Sequence, residues 1–149
     1  MKMNTNKIKS VNSYKLSTIF IFALVMFMGL SLVQAIPAMA TIYYVKTDGD
    51  DSKDGTSWDN AWKTITHAVA TVAEGSTIEV AAGEYSNTIT GETFPINVAK
   101  AVTIKSSDGA EATILDAGTG ADKNGVILEA AATLDGFTIK NASSLAIYI

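Results

Sequence analysis

Short alternating apolar segments recur at one fixed interval, and this spacing restricts the possible folds more than any other feature of the chain. Ile78/Val80, Val102/Ile104 and Val126/Leu128 stand at equal steps, and a second register repeats the step from Leu115 to Ile139. Repeats of roughly 20–50 residues mark stacked architectures, because one repeat cannot bury its own apolar face. Here the unit is a short strand bounded by Gly, Asp, Asn and Ser, the pattern of a parallel β-helix coil rather than a helical hairpin. Val102 and Ile104 turn one way, Thr103 and Lys105 the other. Residues one step apart then become neighbours in coils about 4.8 Å apart. The spacing predicts Val80, Ile104 and Leu128 in one inward column, with Lys105 beside Glu129 and Asp116 beside Lys140 outside. Such opposite-charge stacking is mildly favourable. Asn141 closes a strand and suits a turn that bonds the backbone of an adjacent coil; its glycosylation-type sequence, Asn141-Ala142-Ser143, is the weaker reading.

Residues 1–40 read as a secretory signal peptide. Lys2, Lys7, Lys9 and Lys15 precede an apolar run from about Ile19 to Val33, and Ala38-Met39-Ala40 supplies an A-x-A cleavage site before Thr41. The alternative, a membrane anchor, asks for about 20 apolar residues, slightly more than the run provides. A secreted or cell-surface protein follows, with no membrane association after cleavage. The chain has no Cys, which excludes disulfides, lipoprotein modification and Cys-based zinc sites. All fifteen acids lie after residue 40, against seven lysines and no arginine, leaving a formal charge of −8. Nucleic acid and anionic lipid need cationic patches. An acidic exported domain is compatible with bound cations or with neutral glycans, which admits a polysaccharide or cell-surface glycan as partner. Solubility is the preferred reading for most of the acids.

The remainder divides into residues 41–75, a strand, turn and capping helix, and residues 76–149, the first coils of a β-helix. Tyr43-Tyr44-Val45 reads as β. Thr56 or Ser57 is expected to cap a helix that carries Ala61, Trp62, Ile65, Ala68, Val69 and Val72 on one stripe and stops at Gly75. A helix across the first coil would cover an apolar end and unpaired backbone groups. Capping is the reading adopted for both Trp58 and Trp62, with burial expected for Trp62 on the apolar stripe. Sugar stacking on an exposed indole is the alternative, more open for Trp58 at the helix start.

Tyr44-Val45, the Asp48-Gly-Asp-Asp run, Asp54-Gly55-Thr56-Ser57-Trp58, Ala61-Trp62-Lys63-Thr64-Ile65 and Gly83-Glu84-Tyr85 resemble the start of secreted right-handed parallel β-helix proteins. Leu134-Asp135-Gly136-Phe137-Thr138-Ile139 is similar to their coil signature. These are the pectate-lyase-like superfamily, which includes a domain of unknown function common in prokaryotic surface proteins. The resemblance implies an all-β, right-handed parallel β-helix with an N-terminal capping helix. It leaves activity open, because the superfamily holds lyases, hydrolases, epimerases and adhesins.

Catalytic residues cannot be assigned. Asp50, Ser52, Asp54 and Gly55 have the spacing of a calcium loop, which makes Asp50 and Asp54 the candidate metal ligands. Position twelve is Ala61 rather than the bidentate Glu such a loop needs, so a polar turn is the preferred reading. The one histidine, His67, reads as helix surface. Lyases of the resembled group use calcium and a basic side chain, but Lys105 and Lys140 lie beside acids, which makes them poor bases. Asp116 and Asp135 are the nearest candidates for paired hydrolytic carboxylates. Ile147-Tyr148-Ile149 reads as another coil strand where the sequence stops, an expectation of a C-terminally incomplete solenoid. Two functions follow: a non-catalytic surface or carbohydrate-interacting scaffold, or part of a polysaccharide lyase or glycoside hydrolase whose active site lies beyond residue 149.

Overall fold

The computed structural model describes residues 40–119, 124–143 and 147–148. The expected signal segment, 1–40, lies outside these but for Ala40. Ten strands and one short helix follow in the order β1 (Ile42–Val45), α1 (Ile65–Thr71), β2 (Thr77–Val80), β3 (Gly83–Ser86), β4 (Ile96–Val98), β5 (Thr103–Ser106), β6 (Thr113–Asp116), β7 (Val126–Leu128), β8 (Thr133–Asp135), β9 (Thr138–Lys140) and β10 (Ile147–Tyr148). Three sheets form, ordered β1-β2-β5-β8, β3-β6-β9 and β4-β7-β10. From β2 onward the chain visits them in a fixed cycle, and every strand pairing is parallel. Among the described residues the chain is therefore an all-β parallel fold with one short helix. No helix among the described residues is long and apolar enough to cross a membrane.

The single evenly spaced column is not what the strands form. Ile78 pairs with Ile104 rather than Val102, and Ile104 with Leu134 rather than Leu128. Leu128 pairs with Val98 in a different sheet, and Val80 with Ser106. Lys105 consequently meets Glu79 rather than Glu129, which takes a bond from Asn97 instead. The expected step does hold between β6 and β9, where Leu115 pairs with Ile139 and Asp116 with Lys140. The physical reason lies in the corners. Lengthening a surface loop costs little closure entropy, so coils of unequal length stack equally well and no constant interval sets the neighbours.

The alternation itself is as read. Ile78, Val80, Ile104, Leu115 and Val98 are fully buried, and Val102 nearly so. Full burial of one such side chain stabilises by about 1.5–3 kcal/mol. Strand β10 pairs with β7 through Ile147 and Val126, as the final apolar segment suggested.

The helix is shorter than its stripe. Thr64, not Thr56 or Ser57, is the N-cap, its hydroxyl accepting from His67 N at 3.1 Å. Gly55 and Trp62, the two ends of the 55–62 segment, serve β1 instead. Tyr44 N donates to Gly55 O, Trp62 N to Tyr44 O, and Lys46 N to Trp62 O, all at 2.8–2.9 Å. The otherwise open edge of β1 competes for these backbone groups, and sheet pairing wins over helix propagation. Ala61 and Trp62 are still buried, by extended backbone rather than by a helical face. Gly75 follows the helix in a turn with φ +79°. α1 packs on β4, β1 and β2 through Ile65, Ala68 and Val69.

Candidate functional site

The start of α1 gathers two carboxylates. Asp51 Oδ1 accepts from Lys63 N at 2.7 Å and Thr64 N at 3.0 Å, while its Oδ2 accepts from the Thr64 hydroxyl at 2.8 Å. Glu92 accepts from Ile65 N and Thr66 N, each at 2.8 Å, and from the Thr66 hydroxyl. These acids satisfy backbone donors that a helix start leaves without intrahelical partners. Glu92 is 0% exposed, and burial pushes its carboxyl above the usual range, with the Thr66 and Ile65 donors opposing. At the other end, Lys100 Nζ donates to Ala70 O and Val72 O, both at 2.8 Å. Between α1 and β4 runs a groove of about 230 Å³ lined by Thr66, Val69, Ala70, Pro95, Asn97 and Lys100. Asp51, Glu92 and Lys100 escaped the sequence reading. Asp51 sat in view within the Asp-rich turn; Glu92 acts on residues far back along the chain and left no local signal.

The proposed metal ligands serve turns. Asp50 Oδ1 accepts from Ser52 N and Oγ at 2.9 and 2.8 Å; Asp54 Oδ1 accepts from Thr56 N and Oγ1 at 3.0 and 2.8 Å. Those donors, backbone first and hydroxyl second, hold both carboxyls below their ordinary value. No group of three His, Cys, Asp or Glu side chains suited to a metal occurs among the described residues.

Asp116 and Asp135 fall on different sheets, in β6 and β8. Asp116 Oδ1 takes bonds from Asn141 Nδ2 at 2.8 Å and Gly118 N at 2.9 Å. The Asn141 amide, more than Gly118 or the charge of Lys140, holds its carboxyl low. Asn141 thus bonds a side chain of the adjacent coil, where the sequence suggested its backbone. His67 is half-buried, edge-on to Trp62 at 5.3 Å, with Nε2 3.3 Å from the Thr71 hydroxyl.

The outer face of the β1-β2-β5-β8 sheet holds the most varied chemistry. Its two outward rows are Ile42, Thr77, Thr103, Thr133 and Tyr44, Glu79, Lys105, Asp135. Lys105 Nζ lies 2.7 Å from Glu79 Oε1, and this bond, reinforced by the Glu79 charge, raises the ammonium's pKa. At the β1 end Trp58 packs on Tyr44 with ring centroids 4.7 Å apart and planes at 58°. Trp58 is 38% exposed and Ile42 44%, whereas Trp62, stacked on Tyr43, is 2% exposed. Trp58 is therefore a surface aromatic, and the helix start at which the sequence placed it does not exist.

Comparison with curated proteins finds no match. A family model does match, over residues 47–149, and its description is a protein of unknown function, DUF1565, a family of parallel β-helix type. The cyclic parallel strands fit that type, and the matched segment takes in the turn, α1 and all strands after β1: this chain belongs to the DUF1565 family.

Proposed function

We propose that this chain is an exported, right-handed parallel β-helix that works as a non-catalytic scaffold meeting carbohydrate at the cell surface. The observation that carries the reading is the use made of the outward polar groups. Lys105 is spent on Glu79, Asp116 on Asn141, and Glu129 on Asn97, each pair joining one coil to the next. A lysine held by a carboxylate is a poor proton acceptor. Hydrolysis requires two carboxylates facing each other across the glycosidic bond, and the placing of Asp116 and Asp135 on different sheets speaks against that role for them. Export is supported by the basic, apolar and A-x-A segments of residues 1–40. Calcium at Asp50 and Asp54 would brace their turn rather than perform chemistry.

The chain recovered from the exported fraction is expected to begin at Thr41 by mass spectrometry. Incubated with pectate, alginate and neutral glycans, it should release neither unsaturated products nor reducing ends. Turnover that disappears on changing Lys105 or Asp116 would show that these coils carry an active site.

A further inference from the structure

We infer that the patch formed by Ile42, Tyr44 and Trp58, with the outward hydroxyls of Thr77 and Thr103 beside it, binds an uncharged, extended glycan chain. This rests on the scaffold reading and gives it a site and a ligand class. The patch is apolar where the sheet starts and hydroxyl-bearing as it continues. Ile42 and Tyr44 project from one face of β1, and Trp58 reaches that face from the 55–62 segment to pack on Tyr44. Thr77 and Thr103 are the partners of Ile42 on the next two rungs. A pyranose ring has the matching form, with C–H bonds on its faces and hydroxyls at its rim. Its C–H groups are drawn to the negative face of an aromatic ring, and its rim can bond to hydroxyls. Four strands span about 14 Å at the usual spacing, room for a short run of sugar rings.

Charge decides which glycan. A polyuronate or sulfated chain needs cations, and arginine, the residue best matched to a carboxylate, is absent from the sequence. Lys105, the cation in the sheet's two outward rows, is closed against Glu79 at 2.7 Å, and the Lys53 ammonium near Trp58 is bonded to Asp59 O at 2.8 Å. The chain after residue 40 carries seven lysines against fifteen acids, which repels polyanions further. Glu79 is in turn neutralised by Lys105, so the rung beside Tyr44 favours neither sign.

The test is calorimetric titration of the full chain with cellohexaose and xylohexaose as neutral probes, hexagalacturonate as the acidic one and a chitosan hexamer as the cationic one. The neutral hexamers should bind, Trp58→Ala should weaken them about tenfold, and Trp58→Phe should keep most of the affinity. Lys105→Met should leave binding unchanged. On the unaltered chain, saturating cellohexaose should shield Trp58 from acrylamide quenching, a readout that stands if Trp58→Ala fails to fold. Tighter binding of either charged hexamer, equal binding by Trp58→Ala, or unchanged quenching would overturn the assignment. So would self-association that Trp58→Ala abolishes, which would give the patch to a second copy. Failure of all hexamers to bind overturns the glycan assignment and leaves the non-catalytic reading standing, whereas that reading falls in the separate turnover assay.

Discussion

A Cβ at Gly55 would lie 2.6 Å from the Trp62 indole, and the backbone there has φ +68°. The position is constrained twice, by backbone conformation and by the buried ring against it. Gly75 has φ +79° but open space around it, so it isolates the backbone effect. Gly55→Ala should destabilise by about 1–3 kcal/mol more than Gly75→Ala, the usual cost of overpacking. Denaturant midpoints for both variants check this, and equal losses would mean that the ring yields freely. In the sequence, Asp54-Gly55 could be read as a turn from composition alone. That Trp62 closes over it could not, because the contact depends on Gly55 and Trp62 both bonding to β1 rather than joining a helix.

A helix as short as α1, Ile65–Thr71, has little stability of its own, and it is held by three titratable side chains: Asp51 and Glu92 at its start, Lys100 at its end. The charges of Asp51 and Lys100 are placed favourably for the helix dipole. Glu92 gives the arrangement a pH signature. Its folded-state pKa is raised above the ordinary 4.5, chiefly by burial, so the native state holds that proton more tightly than the unfolded chain. Stability contributed by protonated Glu92 is complete below 4.5 and is lost as pH rises through the raised value. Asp50, Asp54 and Asp116 act oppositely, being held below the ordinary 3.8. Their contribution is present above 3.8 and is lost as pH falls through the lowered values. Thermal midpoints against pH should therefore decline on both sides. Glu92→Gln should flatten the high-pH decline and leave the acid one unchanged. An unaltered high-pH limb in Glu92→Gln would remove Glu92 as its cause.

Across the molecule, stability comes from rungs joined side by side, so the register decides which substitutions interact. Glu79 and Lys105 are neighbours on β2 and β5; Glu129 follows β7, whose sheet partners are β4 and β10. A double-mutant cycle on Glu79 and Lys105 should show favourable coupling that weakens with salt, and one on Lys105 and Glu129 should show none. Coupling in the second cycle alone would restore the uniform register. Both the core and the patch proposed to bind glycan depend on this stacking. Ile78, Ile104 and Leu134 line up within, while Tyr44, Glu79, Lys105 and Asp135 line up outside.

Alternation in Thr103 to Ser106, turn residues at the corners and a family of recurring short strands were legible in the chain, because strand period and turn chemistry are local properties. The burial of Trp62, Ile65, Ala68 and Val69 was legible for the same reason: the gain from removing these side chains from water does not depend on whether a helix or an extended segment carries them. The helix start was not, since the edge of β1 took the carbonyl of Gly55 and both backbone groups of Trp62, and the residues between them bond among themselves in turns. The rung partners were not, since the coils from Ile78 to Ile104, from Ile104 to Leu134 and from Leu115 to Ile139 differ in length. They stack with the same strand spacing and leave no constant interval to read. The roles of Glu92, Lys100 and Tyr44 belonged to the tertiary structure alone. Each acts on residues distant along the chain, and such neighbours exist only after the parallel strands have paired.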